Sequence, residues 1–295
     1  MKAKNRVIAM LVAVFVAVAM MPFAVMEVSA NTEVNMFKGV ICMGKTVSHT
    51  MSSDIESGYF HFMNDQYSDE EVSVSGKTFS WHFTSDLEAL GESGYFVIKC
   101  KDGKTYESEP ITIKYDITGS DFSDNISDHY LKDLTYTGKA LKQKSFEIDL
   151  GPIYFTQKDF TITYKNNVNV GKATMILKGK GDLVGSTTLT FNIRPKGTTA
   201  KAPKKGKKSF TARWARQKTK MKKYRITGYQ VQYSTTKNFS SDVKNVYVKG
   251  YKKTSRKIKG LAKKKVYYVH VRTYMKVGGK YYYSTWSKTK AVKTK

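Results

Sequence analysis

Cysteines, histidines and prolines are scarce in this sequence. It has 2 cysteines and 5 histidines among 295 residues, and two cysteines cannot build a disulfide-rich scaffold or a four-cysteine zinc site. Only 5 prolines accompany 21 glycines, which excludes a collagen-like or proline-rich chain. By contrast, 20 tyrosines and 15 phenylalanines need buried cores. The composition therefore indicates a globular, all-β protein and favours binding over catalysis.

No motif of catalysis or cofactor binding surrounds the few reactive residues. Cys42 and Cys100 lie in apolar, strand-like segments and outside any cysteine-enzyme signature. Gly179 and Gly181 lack the Gly-Lys-Ser/Thr ending of a phosphate-binding loop and are turn residues. The acidic residues within 65–71 lack the spacing of a calcium loop. We expect no enzyme activity, no cofactor and no bound metal ion.

The N-terminus has the three parts of a secretory signal peptide. Basic residues precede an apolar run over 7–25, and small residues follow up to Ala30. We expect residues 1–30 to be cleaved after Ala30; an uncleaved anchor is the alternative, because a run of about 19 apolar residues can span a bilayer. The sequence predicts a secreted, extracellular protein with no membrane span after cleavage, held non-covalently at the cell wall.

Charge is distributed very unevenly along the chain. The formal net charge is −7 over 31–116, +2 over 117–195 and +30 over 196–295, where Asp242 is the one acidic residue. Abrupt changes of this kind mark separate modules. Residues 196–208 hold lysine, threonine, glycine and proline but no large apolar residue, so we predict a basic linker there.

The first module, residues 31–116, has the pattern of a β-sandwich. Aromatic and β-branched residues over 94–101 predict a strand, Asp102-Gly103 predicts a hairpin turn, and 104–115 returns as the next strand. Alternation puts Cys100 on a buried face. We therefore predict an acidic, immunoglobulin-like sandwich.

A disulfide between Cys42 and Cys100 stays open at this level. An exported protein permits the bond, but two buried thiols fit these apolar strands equally well. The neighbouring strands must be known before the two alternatives can be separated.

The second module, residues 117–195, contains the motifs Tyr136-Thr137-Gly138, Asn166-Asn167 in a predicted turn, and Gly171-Lys172-Ala173-Thr174. In these motifs it resembles the bacterial immunoglobulin-like repeats of secreted Gram-positive proteins. Phe160, Ile162 and Tyr164 alternate with threonines as in a half-buried strand.

The third module, residues 209–295, has Trp214 in a predicted early strand, Leu261 six positions before Tyr267, and Trp286 near its end. With these residues it resembles a fibronectin type III domain. In that family Trp214 occupies the position of the core tryptophan, the spacing of Leu261 and Tyr267 is that of the tyrosine corner, and Trp286 fits the last strand. The resemblance implies tandem immunoglobulin-like and fibronectin type III β-sandwiches after a signal peptide; it does not imply a function.

The lysines of the third module predict a polyanion-binding surface, because so high a charge repels itself unless an anionic polymer neutralises it. A merely soluble, lysine-rich surface is the alternative. Most of the candidates fall in predicted turns: Lys252, Lys253, Arg256, Lys257, Lys263, Lys264, Lys265 and Lys280.

The sequence favours a non-enzymatic binding or adhesion protein of the cell surface. We expect an anionic cell-wall polymer or an extracellular glycan as partner, with a host surface protein as a further candidate for the acidic module. Export separates the chain from the genome, so no nucleic-acid partner is expected. The competing prediction is a carbohydrate-binding or accessory module of an extracellular enzyme system, which a row of exposed aromatic side chains on one sheet face would favour.

Overall fold

The structure is a computed structural model that describes residues 39–83, 87–118, 131–144, 147–149, 154–222 and 224–295. The predicted signal peptide lies outside them. Within these residues the regular elements are β-strands and two short 3-10 helices, Leu87–Ala89 and Gln157–Asp159. No helix among them is long and apolar enough to cross a membrane. The all-β fold class is confirmed.

The chain divides into two compact units. Among the described residues, one unit contains those within 1–126, 145–162 and 177–187, and the other contains those within 127–144, 163–176 and 188–295. The module boundaries that we placed at residues 116 and 195 from charge stay predictions.

The N-terminal module forms two sheets. The larger has the order β1-β9-β7-β3-β4, with β8 also paired to β7, and the smaller has the order β2-β6-β5. The strands are β1 (Gly39–Cys42), β2 (Thr46–Thr50), β3 (Ile55–Phe62), β4 (Glu70–Glu71), β5 (Ser73–Ser75), β6 (Thr78–His82), β7 (Ser93–Cys100), β8 (Thr105–Glu107) and β9 (Ile111–Asp116).

Strand β7 confirms the predicted alternation, since Phe96 and Cys100 on one face are completely buried. Phe96 packs edge-on against Phe60 at 5.0 Å between ring centroids. The single strand that we predicted over 104–115 is instead divided into β8 and β9. Between them, the Ser108 hydroxyl accepts the Phe96 N–H at 2.9 Å, and Pro110 has no N–H to continue the ladder.

Cys42 and Cys100 lie far apart in the larger sheet and do not form the disulfide that the sequence left open. Cys42 is level with Lys114 of β9. Strand β9 meets β7 where Ile111 lies opposite Gly94, and Cys100 is six residues further along β7, in the direction away from Lys114. Six residues of strand span about 20 Å, whereas the Cα atoms of a disulfide lie about 4–7 Å apart.

The middle module contains a four-stranded sheet of order β10-β16-β14-β13 and the pair β11-β12. Phe160 is buried and Asn166 adopts a φ of 56°, which confirms the predicted strand and turn. The short strand β15 pairs in parallel with β9. The strands are β10 (Leu134–Thr135), β11 (Glu147–Asp149), β12 (Tyr154–Thr156), β13 (Phe160–Lys165), β14 (Gly171–Gly179), β15 (Leu183–Val184) and β16 (Ser186–Arg194).

The C-terminal module is a sandwich of a three-stranded sheet, β17-β18-β21, and a five-stranded sheet, β20-β19-β22-β23 with β24 also paired to β22. This division of strands is the one expected of a fibronectin type III fold. The strands are β17 (Ala200–Gly206), β18 (Ser209–Trp214), β19 (Gly228–Ser234), β20 (Lys244–Lys249), β21 (Ser255–Lys259), β22 (Val266–Val277), β23 (Lys280–Tyr283) and β24 (Lys290–Lys293).

The segment that we predicted to be a basic linker contains strand β17. It pairs antiparallel with β18, and Ala200 lies opposite Trp214. Ala200 is itself buried. The absence of large apolar residues misled the prediction, because the strand is at the sheet edge and needs only this small side chain to pack inward.

Three of the four predicted structural residues of the C-terminal module, Trp214, Leu261 and Tyr267, occupy the expected positions. Trp214 is 1% exposed and donates its Nε1–H to Lys253 O at 2.9 Å. Leu261 is buried, and the Tyr267 hydroxyl accepts the Ala262 N–H at 3.1 Å, which makes the tyrosine corner.

Trp286 differs from its prediction, because it lies between β23 and β24 and not in a strand. Here serine hydroxyls replace backbone carbonyls as acceptors for β22. Ser284 Oγ accepts the Thr273 N–H at 3.1 Å, and Ser287 Oγ accepts the Val271 N–H at 3.0 Å. The chain between the two serines leaves the ladder, so that Trp286 is carried onto the outer face of the sheet.

Candidate functional site

The positive charge of the C-terminal module is not neutralised internally. Residues 196–295 hold 31 basic residues and one acid, Asp242. In the described part of this range no lysine or arginine forms an ion pair. Asp242 accepts a hydrogen bond from Thr235 at 3.4 Å. The cations are therefore available to an external anion.

One group of lysines gathers at a single end of the sandwich. Backbone bonds join the β17–β18 turn to the chain end and to the β21–β22 turn: Lys208 N–H donates to Lys295 O at 3.2 Å, and Leu261 N–H donates to Lys208 O at 3.1 Å. Thr294 N–H donates to Lys265 O at 3.0 Å. We call this cluster the basic end; it comprises Lys207, Lys208, Lys263, Lys264, Lys265 and Lys295.

A second group lies on the outer face of the three-stranded sheet. Lys257 is opposite Thr211 and points outward with it, whereas Arg256 is opposite the buried Ala212 and reaches solvent at the sheet edge. Lys201 lies opposite Arg213. We call this the basic sheet face; it comprises Lys201, Lys204, Arg213, Lys257 and Lys259.

The remaining predicted residues do not join either group. Lys252 and Lys253 lie in the turn before β21, and Lys280 begins β23. Lys263 of the basic end lies in the turn after β21. The five residues of β21 separate the two turns by about 16 Å. The eight predicted residues therefore do not form one continuous patch.

The outer face of the five-stranded sheet carries an arrangement that the sequence did not reveal. His270 stacks between Phe239 and Trp286, with ring centroids 3.9 and 4.0 Å away. The Arg272 guanidinium lies between the rings of Trp286 and Tyr283, 4.2 and 4.1 Å from their centroids. We call these five residues the aromatic–arginine stack.

Burial alters the titration of the stack. The His270 ring is 8% exposed, and its burial, followed by the nearby Arg272 charge, lowers its pKa to about 4. Its Nε2–H donates to Gln232 Oε1 at 2.7 Å. The hydrogen bond with Tyr247, together with burial, raises the pKa of Tyr283 to about 12. Near neutral pH, Arg272 is the cation of the stack.

Two tyrosines beside the stack remain open to solvent. Tyr247 on β20 is 53% exposed and Tyr281 on β23 is 52% exposed. Both pack against Tyr274 of β22, with centroids 5.6 and 5.9 Å away. Tyr283 also packs against Tyr274, so Tyr281 and Tyr283 share this face, as alternation along β23 requires. With Tyr283, they form a row of aromatic rings flanked by cations.

The β22 sequence did contain a signal for this face. Every second residue points outward, which places His270, Arg272, Tyr274 and Lys276 in one line. The partners Phe239 and Trp286 lie outside strands, so no periodicity identifies them.

In the N-terminal module the acidic residues near 65–71 contribute to packing. Glu70 accepts the Trp81 Nε1–H at 3.0 Å, and Asp69 lies 2.8 Å from His61 Nδ1. Among the described residues, no group of three or more His, Cys, Asp or Glu side chains is placed to hold a metal ion.

No protein family and no curated protein matches the chain. Solved structures that are similar to it include the FN1–FN3 domains of chicken CNTN1 (12% identity, TM-score 0.30, covering 85% of this chain and 95% of that one). Domains A168–A170 of titin are similar at 10% identity and a TM-score of 0.28, covering 89% and 97%. A β-1,2-glucanase from Parabacteroides distasonis is similar at 15% identity and a TM-score of 0.27, covering 41% and 17%. Similarities this low carry no argument about function; the fold is established by the strand order of the chain itself.

Proposed function

We propose that this chain is a secreted, non-enzymatic surface protein whose basic C-terminal sandwich binds anionic polymers of a bacterial cell envelope. The observation that carries the proposal is the unneutralised charge of residues 196–295, where 31 cations accompany one acid. A strongly cationic surface attracts a polyanion and releases its counterions. For an exported bacterial protein, the abundant polyanions are the phosphate-bearing teichoic acids of the wall. The acidic N-terminal module is then free to meet a glycan or a host surface protein.

The experiment measures binding of the full chain to isolated Gram-positive cell walls as the salt concentration rises. We expect the bound fraction to fall steeply between about 0.05 and 0.5 M NaCl, because salt screens these contacts. Binding that does not weaken with salt would contradict the electrostatic mechanism.

A charge-matched pair of variants locates the contact. One removes three lysines of the basic end, K263Q/K264Q/K265Q. The other removes three exposed lysines of the acidic module, K77Q/K101Q/K104Q. We expect weaker wall binding only in the first variant. Equal losses in both would mean that net charge matters and the C-terminal surface does not.

A second candidate function, carbohydrate binding, is favoured by the row formed by Tyr247, Tyr281 and Tyr283. Exposed aromatic rings offer flat apolar surface to a sugar ring, and the neighbouring Arg272 donates hydrogen bonds. Its test is a neutral glycan screen at high salt with Y247A/Y281A as the variant. Glycan binding that survives high salt and is lost in the variant would favour this function over the first.

A further inference from the structure

A groove opens where the basic sheet face meets the segment that follows β18. Its volume is about 420 Å³ and its lining includes Trp214. The other groups that the argument uses are four cations and two hydroxyl side chains: Lys201, Arg213, Arg216, Lys218, Thr254 and Ser255. None of the residues that line it is acidic. The groove therefore presents hydrogen-bond donors and positive charge without an acidic side chain that would neutralise the charge.

Three of these side chains form one row across the sheet. Arg213 of β18 lies opposite Lys201 of β17 on one side and opposite Ser255 of β21 on the other. Strands in a sheet are about 4.8 Å apart, and like charges directly opposite destabilise the pair. The repulsion between Lys201 and Arg213 therefore destabilises the sheet when the groove is empty. A bound anion would remove this repulsion and stabilise the sheet.

The cations beyond the sheet are held in place by a tyrosine. The guanidinium carbons of Arg216 and Arg225 lie 4.9 and 4.7 Å from the centroid of the Tyr251 ring. Arg225 also donates a hydrogen bond to the carbonyl oxygen of Lys218. The Tyr229 hydroxyl donates to Tyr251 O at 2.8 Å, which fixes the backbone of the tyrosine. Arg216 and the Lys218 backbone are thus positioned before any ligand arrives.

We propose that this groove binds one phosphate group of an anionic polymer; the proposal rests on the function proposed above and names the chemistry of its ligand. Guanidinium groups match the oxygens of phosphate with two parallel N–H donors, which a lysine ammonium cannot do. Thr254 and Ser255 add hydroxyl donors from β21 and the turn before it. The open volume leaves room for the alcohol units on either side of a phosphodiester.

The test uses the full chain, with inorganic polyphosphate as the probe, and compares two variants of equal charge loss. R213Q/R216Q removes the two guanidinium groups of the groove, and K263Q/K264Q removes two lysines of the basic end. We expect affinity to fall about tenfold in the first and about twofold in the second, because oriented charge-assisted hydrogen bonds contribute more to binding than the screened charge of exposed lysines.

The outcomes separate this proposal from the function on which it rests. Equal losses in both variants would overturn the groove while leaving electrostatic polymer binding intact. No binding by the unaltered chain would overturn both. A preference for hyaluronate or dextran sulfate over polyphosphate at the groove would overturn the phosphate assignment.

A measurement on the unaltered chain guards against misfolding of the arginine variants. Trp214 is among the residues that line the groove, and its buried indole N–H donates to the carbonyl oxygen of Lys253, the residue directly before Thr254 of the groove lining. We expect the NMR signal of this indole N–H to shift as polyphosphate is added, with the single variant R216Q reducing the shift. A Trp214 signal that is unmoved at saturating probe would overturn the proposal.

Discussion

The imidazole of His270 lies against the indole of Trp286, with ring centroids 4.0 Å apart and an angle of 12° between the planes. On its other side the imidazole meets Phe239 at 3.9 Å and 7°. Arg272 lies on the far face of Trp286, 4.2 Å from its centroid. A protonated His270 would therefore be desolvated and would repel Arg272, which is why folding favours the neutral ring.

Acid should destabilise the C-terminal sandwich through His270. Its pKa is about 4 in the folded protein against 6.5 for an unperturbed histidine, so the unfolded chain binds the proton first. The contribution of neutral His270 to the free energy of unfolding is complete above about pH 6.5. It is lost as the pH falls toward 4, by up to about 3 kcal/mol. Urea unfolding at several pH values, followed by the Trp214 indole NMR signal, measures this loss.

Two histidine variants test the assignment. H270Q should flatten the dependence on pH between 4 and 6.5, whereas H82Q, at an exposed position of the N-terminal module, should leave it unchanged. A slope that persists in H270Q would contradict the role given to this ring.

Truncating Trp286 should destabilise the same sandwich. W286A removes one aromatic stack and one cation–π contact, each about 1 kcal/mol, together with apolar burial, so we expect a loss of about 2–3 kcal/mol in urea unfolding. The matched control is Y281A, which removes a ring that is 52% exposed and should cost well under about 1 kcal/mol. Equal losses in W286A and Y281A would mean that the aromatic–arginine stack stabilises the sandwich no more than an exposed ring does.

The tyrosine corner gives a smaller, sharper prediction. Y267F deletes the hydroxyl that accepts the Ala262 N–H at 3.1 Å and should lower the free energy of unfolding by about 1 kcal/mol. The neighbouring Tyr268 is half-buried on the opposite face, so Y268F is the control and should have little effect. The measurement compares the urea unfolding midpoints of Y267F and Y268F. Equal midpoints would contradict the role given to the Tyr267 hydroxyl.

The repulsion between Lys201 and Arg213 should be visible as a salt effect. R213T should raise the free energy of unfolding by about 0.5 kcal/mol in low salt, and this gain should shrink in about 0.5 M NaCl. K257T is the control, because Lys257 lies opposite Thr211 and not opposite a cation. A gain that is independent of salt would exclude charge repulsion as its cause.

The two cysteines should be alkylated without prior reduction. Because Cys42 and Cys100 lie at different ends of the sheet, iodoacetamide added to the unfolded chain should add two groups by mass, with or without dithiothreitol. In the folded protein the reaction should be slow. Cys100 is completely buried, and burial followed by the charge of Asp116 raises the pKa of Cys42. Alkylation that requires a reductant would show a disulfide.

The elements that local sequence determines were predictable. Alternation identified β7, the Asp102-Gly103 pair marked its turn, and the spacing of Leu261 and Tyr267 marked the tyrosine corner. The strand β17 was missed, because an edge strand buries too little apolar surface to differ from a linker in composition.

The candidate site was less accessible to prediction because its parts come from distant segments. Lys201, Arg213 and Ser255 form a row only through the register of three strands. Phe239 and Trp286 reach His270 from loops, and no periodicity of the chain connects them. Net charge points to the C-terminal module, but residue counts cannot distinguish which cations converge.

Strand β17 affects the conformational entropy that polymer binding would cost under the proposed function. A lysine on a flexible tail must lose backbone freedom when a polymer binds, which costs about 1–2 kcal/mol for each residue ordered. Lys201 and Lys204 are held in the ladder with β18, so that cost is met when the protein folds. The backbone positions of these two lysines are fixed by the ladder, so under the function proposed above an anionic chain would meet them in a set register.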